Sequence, residues 1–204
     1  MKKLSALMLV LALTAALSGC GKKTDTPPKG EGSTAENTAV VEDLKEAIAE
    51  QPILLTSAGQ SADVEMAKTL LTKAELEFSV NSQATGADIK DAKTLILAVG
   101  GSTQGMGTAG VDLDHELERV KKLTAAAAKA DVKIIAIHIG GEVRRSEISD
   151  EFIAPSFEKA DYAVVVADGD KDGRMKNLAS KRGVPIKEVD CVAEVIAPLK
   201  AAFK

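Results

Sequence analysis

The chain has 204 residues, with 26 basic and 30 acidic side chains, 45% hydrophobic residues, one Tyr and no Trp. A formal charge of −4 excludes the broad basic surface that nucleic acid needs, so no nucleic-acid partner is expected. Two cysteines exclude a disulfide-stapled mini-domain, and stability has to come from an aliphatic interior.

Lys2 and Lys3 precede an apolar run at 4–17, and small residues follow at once. The run is too short to span a bilayer with margin and has the layout of an export signal. It closes with Leu17-Ser18-Gly19-Cys20, which resembles the lipobox of bacterial lipoproteins. That resemblance implies cleavage before Cys20, a diacylglycerol on its thiol with palmitate-type acyl chains, and attachment to a membrane on its extracytoplasmic side. Each buried methylene contributes about 0.8 kcal/mol, so several chains together make release slow. The alternative is an ordinary secretory signal in which Cys20 is incidental. Cleavage would leave 24 basic residues against 30 acidic, a net charge of −6, and acylation would leave Cys191 with no partner for an internal disulfide.

Residues 21–37 (GKKTDTPPKGEGSTAEN) carry Gly, Pro, Thr and charge without hydrophobic period, as a flexible tether does. A coil of that length spans about 20–25 Å. The organisation expected is a signal peptide at 1–19, lipidated cysteine and tether at 20–37, and one α/β domain at 38–204. Val40, Val41, Leu44 and Ile48 recur at helical spacing before Pro52, which predicts a short helix on the domain surface.

From Pro52 onward, apolar runs alternate with amphipathic stretches. The runs are ILLTSA (53–58), LEFSV (76–80), TLILAV (94–99), VKIIAIHI (132–139), YAVVVA (162–167) and PIKEV (185–189). Leu113, Leu117, Val120 and Leu123 mark one helical face; Val192, Val195, Ile196, Leu199 and Phe203 mark another. The alternation predicts a three-layer Rossmann-like or flavodoxin-like domain whose mainly parallel sheet of about six strands is covered on both faces. The second and sixth runs alternate polar with apolar and belong at edges, which favours the order 2-1-3-4-5-6 and a crevice between strands one and three.

Ligands of such sheets bind beyond the carboxyl ends of the strands, so the loops that follow each strand supply the candidates. After strand one these are Ser57, Gly59 and Gln60; after strand three, Gly100, Gly101, Ser102, Thr103 and Gln104. After strand four come His138, Gly140, Gly141, Arg144 and Arg145, and after strand five, Asp168. The glycine-rich loop after strand three fits neither the Walker pattern nor GxGxxG. Asp112 with Asp114, Ser61 with Asp63, and Ser146 with Glu147 answer the following helix starts from within the chain, so no nucleotide or other cofactor is expected.

His138 has two readings, a hydrogen-bonded structural residue or a ligand contact and proton carrier. Arg144 and Arg145 either fork onto a carboxylate or sulfate or form a solvated pair. Asp168, Asp170 and Asp172 with Gly173 imitate the first half of a calcium loop, but the twelfth position is Ala179, so an Asx-turn and helix cap is favoured over weak cation binding. Cys191, beside Val192, reads as a packed small hydrophobe rather than a reactive thiol.

With the lipobox, TSAGQSADVEMAKTLL, LILAVGGSTQGMGTAG, IIAIHIGG and VVVADGDKDGRM in place, the chain resembles an uncharacterised family of bacterial extracytoplasmic domains over nearly all of 52–203. The resemblance implies the same α/β architecture and transfers no catalytic residue. Three roles follow as expectations. The first is a surface-tethered module that binds a small polar solute. The second is an accessory subunit docked to a transporter or envelope complex, which would expose an apolar patch. The third is a hydrolase using His138 as base and Ser57, Ser102 or Thr103 as nucleophile, which requires hydroxyl and imidazole in near contact.

Overall fold

Continuous aliphatic runs pair best when both faces of a sheet are covered, and six of them do so here in one parallel sheet. The computed structural model describes residues 43–204. The expected signal peptide, Cys20 and the expected tether lie outside the described residues. The strands are β1 (Ile53–Ala58), β2 (Phe78–Val80), β3 (Thr94–Val99), β4 (Lys133–His138), β5 (Tyr162–Val166) and β6 (Ile186–Val189). Their order is β2-β1-β3-β4-β5-β6, and every neighbouring pair is parallel. Every residue of β1 and β3 is buried, whereas β2 and β6 are partly exposed, as edge positions require.

The helices are α1 (Asp63–Lys73), α2 (Thr103–Ala109), α3 (Leu113–Lys129), α4 (Glu147–Phe157), α5 (Arg174–Arg182) and α6 (Ile196–Ala202). Strand residues alternate between two cores. Leu54, Leu95, Leu97, Ile134, Ala136, Ala163 and Val165 pack against α2, α3, α4 and α5. Ile53, Leu55, Ile96, Ile135, Ile137 and Val164 pack against α1 and α6. The expected caps form: Asp112 accepts the N–H of His115 at 2.9 Å, and Ser146 accepts that of Ser149 at 3.2 Å. Ser61 Oγ takes the N–H of Asp63, but the Asp63 carboxylate turns inward instead of facing the helix end.

Three expectations are corrected. Within the described residues 43–51 there is no helix, and Val40 and Val41 lie outside them. The N–H groups of Ile48 and Ala49 donate to Ala202 O at 3.0 and 2.9 Å, and Lys204 N–H donates to Ala49 O at 3.2 Å. Leu44 and Ile48 do bury an apolar side, but the backbone partner is the C-terminal strap rather than a helix of their own. The glycine-rich stretch after β3 is not a loop throughout, since Thr103 to Ala109 form α2. Cys191 is exposed, at the start of a three-residue-per-turn helix (Val192–Val195), because the last apolar face begins one residue later.

Candidate functional site

The crossover from β1 runs outward to β2 while that from β3 runs to β4, so the loops after β1 and β3 diverge and leave a crevice between them. An open cleft of about 480 Å³ lies there. Its walls are Gln60, Ser61, Ala62 and Val64 after β1, Ser82 and Gln83 after β2, and Ser102, Gln104, Gly105, Thr108 and Ala109 after β3. Of the residues singled out by sequence, Gln60, Ser102 and Gln104 meet in this cleft.

The rim is built stiffly. Gln60 adopts φ +57, a left-handed conformation rare outside glycine. Gly105 passes so close beneath it that a Cβ there would stand 1.8 Å from Gln60 O. Ser102 caps α2 by accepting the N–H of Gly105 at 3.0 Å. Behind the rim, Glu116 on α3 is fully buried and collects three donors on Oε1: Gly59 N–H at 3.0 Å, Gln60 Nε2 at 3.0 Å and Arg119 Nη2 at 2.7 Å. Arg119 also donates from Nε to Glu116 Oε2 at 2.7 Å, from Nη1 to Ala84 O at 2.7 Å and from Nη2 to Ser57 O at 2.5 Å. This pair ties the loops after β1 and β2 to α3.

The candidates after β4 and β5 gather elsewhere, around ion pairs. Arg144 donates from Nε to Asp63 Oδ1 at 3.0 Å, and the carboxylate is fully buried with Oδ2 unpartnered among the described residues. Gly140 lies under the Arg144 side chain. Arg145 spends all five of its donors, on Asp150, Asp172 and Gly169 O, at 2.6–3.0 Å. The Asp172 hydrogen bonds raise the Arg145 pKa, and Arg145 in turn holds the Asp172 carboxyl at about 2. Of the two readings left open for Arg145, a fork onto a ligand or a solvated pair, neither describes its donors here, which go to the protein's own acids and to Gly169 O. Gly101 exchanges hydrogen bonds with Ser149 Oγ, and Asp168 lies against Gly141, which has φ +64.

Asp170 accepts the N–H groups of Met175 and Lys176, each at 2.8 Å, and so caps α5; burial nevertheless pushes its pKa up. Asp172 is taken by Arg145 and the N–H of Arg174. The half-calcium-loop thus resolves into a turn and a cap, and among the described residues no group of three His, Cys, Asp or Glu side chains is placed to hold a metal ion.

His138 is fully buried; its Nδ1–H donates to Val99 O at 3.0 Å, and among the described residues Nε2 has no partner. Ser57 is also fully buried, with its Oγ unpartnered among the described residues, and Ser102 is a helix cap. Among the described residues no Ser or Thr hydroxyl is hydrogen-bonded to His138, so the nucleophile and base pairing expected of a hydrolase is not formed. Large exposed apolar side chains among the described residues are Val80 and Val143, on separate elements. No described helix is long and apolar enough to cross a membrane.

Sequence reasoning missed Ser82, Gln83, Glu116 and Arg119. The only signal for the last two is an i,i+3 acid–base pair on a helix, a pattern that elsewhere means a solvated face.

Fold and cleft define a doubly wound parallel α/β domain with an uncharged polar crevice at its switch point. The chain belongs to the family described as domain of unknown function DUF6305, whose model matches residues 50–203. Among curated proteins none matches it. Of solved structures, it is similar to a GDSL-like lipase from Bacteroides thetaiotaomicron (10% identity, TM-score 0.33, 67% of this chain and 66% of the lipase). It is also similar to the psychrotrophic esterase EstA from Pseudoalteromonas (9% identity, TM-score 0.32, 68% of this chain and 78% of the esterase). Superpositions at this level transfer no residue role.

Proposed function

We propose that this domain binds a small polar solute in the cleft between the loops that follow β1 and β3. One observation carries the reading: the cleft stands at the divergence of the crossovers, where open parallel sheets take their ligands, and side chains from three separate loops converge on it. The rim is also held in advance by the Glu116–Arg119 pair, so little ordering remains to oppose binding. A thermal-shift screen of the full chain against sugars, amino acids, organic acids and metal ions tests it. A solute at 100 times its dissociation constant adds about 2.7 kcal/mol and raises Tm. A Tm unmoved by every compound contradicts the proposal.

The same proposal places the domain outside a bacterial membrane, held by acyl chains on Cys20. The lipobox residues Leu17-Ser18-Gly19-Cys20 support it. Intact mass of membrane-extracted protein should show a chain starting at Cys20 and carrying diacylglycerol, and Cys20→Ser should release the protein from membranes. An unprocessed N-terminus contradicts the anchor.

A further inference from the structure

We infer that the cleft selects uncharged solutes rich in hydroxyl or amide groups, because Gln60 is locked to offer it only a hydrogen-bond acceptor and, among the described residues, no ionisable side chain lines it. The inference rests on the binding role proposed above and narrows its ligand class.

An amide side chain has two N–H donors and one oxygen, and its neighbours decide which way it points. Gln60 Nε2 donates to Ser82 O at 2.9 Å and to Glu116 Oε1 at 3.0 Å. Ser82 O can only accept, and Glu116 is a carboxylate paired with Arg119 and already receiving the N–H of Gly59. Turning the amide over would set an oxygen against two acceptors about 3 Å away, lose both hydrogen bonds and leave Glu116 short of a donor. The orientation is therefore fixed. Gln60 Oε1 has no protein partner among the described residues, is not buried, and belongs to a residue that lines the cleft.

Ser102 complements it. Ser102 Oγ accepts the N–H of Gly105, which leaves its hydroxyl hydrogen to donate, whereas Ser61 Oγ is buried against Gly100. The cleft thus presents a fixed acceptor beside a serine donor, a pattern matched by groups that both give and take hydrogen bonds. Among the described residues an ion has nothing to pair with there: no Lys, Arg, His, Asp or Glu is in the lining, and the Glu116 charge behind it is answered by Arg119. A bound ion would lose water without a counter-charge, which is costly.

The test is calorimetric titration of the full chain with three sets of small probes: neutral (glucose, myo-inositol, acetamide), anionic (acetate, succinate, phosphate) and cationic (ethylammonium, putrescine). Gln60→Gly is the accompanying variant, since glycine adopts φ +57 without strain, and its circular dichroism checks that the fold is kept. Neutral probes should bind at least tenfold tighter than ions, and Gln60→Gly should weaken them about tenfold, as the loss of one hydrogen bond does. An ion bound more tightly than every neutral probe, or a neutral probe held within twofold by Gln60→Gly, overturns the selectivity while the binding role stands. If no probe of any class binds, the binding role itself fails and the selectivity with it.

Discussion

Glu116 Oε1 lies 3.0 Å from the backbone nitrogen of Gly59, a residue 57 positions earlier, and so a helix on one face of the sheet sets the conformation of the loop after β1. The carboxylate is fully buried and its Arg119 partner nearly so. Removing one member of such a pair leaves the other charge uncompensated, which costs far more than the pair contributes against an apolar replacement.

Glu116→Leu should accordingly lower stability by about 3–5 kcal/mol, measured by urea unfolding. Arg119→Leu should have a comparable effect. A loss below about 1 kcal/mol in both would mean that the loop after β1 holds its shape without them.

Two glycines of α2 should respond in opposite directions. Gly105→Ala puts a Cβ against Gln60 O and should destabilise by about 2 kcal/mol or more while disturbing the cleft. Nothing lies within 4 Å of a Cβ at Gly107, where alanine should stabilise the helix by roughly 0.5–1 kcal/mol. Thermal denaturation of the two variants distinguishes them; equal effects would place α2 wrongly.

Acid should weaken the cluster around Arg145. Arg145 holds the Asp172 carboxyl at about 2, below its ordinary 3.8. A depressed carboxylate contributes stability that is present above about pH 4 and is lost as pH falls toward 2. Asp172 is half exposed, so solvent screening cuts the effect to roughly 1 kcal/mol. Asp172→Asn should flatten the stability profile over that window by this amount. An unchanged profile would show that the pair adds nothing.

Alkali offers a separate probe, because the chain has a single tyrosine and no tryptophan. Tyr162 is fully buried and donates to Asp43 Oδ1 at 3.1 Å; burial first, and then the Asp43 charge, raise its pKa. A raised phenol contributes stability that is intact below the free value of 10 and is lost as pH climbs above it. Tyrosinate absorbance should thus appear only together with loss of circular dichroism. Ionisation near pH 10 in the folded protein would contradict the buried placement.

The sheet order was legible because burial leaves a mark on composition. Runs such as TLILAV tolerate no polar face and must be central, whereas the alternation of LEFSV and PIKEV allows an edge. The crevice followed from that order. The segment before β1 was misread because Leu44 and Ile48 are apolar at helical spacing whether their backbone coils or straps across the C-terminus. Helix α2 was hidden because TQGMGTA has poor helical propensity; Ser102, buried Met106 and the close passage under Gln60 stabilise it from outside. Glu116 and Arg119 could not be told from a solvated pair, because their burial depends on which way α3 is rolled against loops distant in sequence. The same holds for Arg145, whose acidic partners come from α4 and from the turn after β5.

The central claim is that the ligand sits between the loops after β1 and β3, and amide chemical-shift mapping of the full chain with a solute found by thermal shift tests it most directly. The account predicts saturable shifts concentrated at Gln60, Ser61, Ser82, Ser102 and Gly105, with the groove beside Arg174 and Lys181 on α5 unmoved. Shifts confined to α5, or scattered over the surface without saturation, would contradict it.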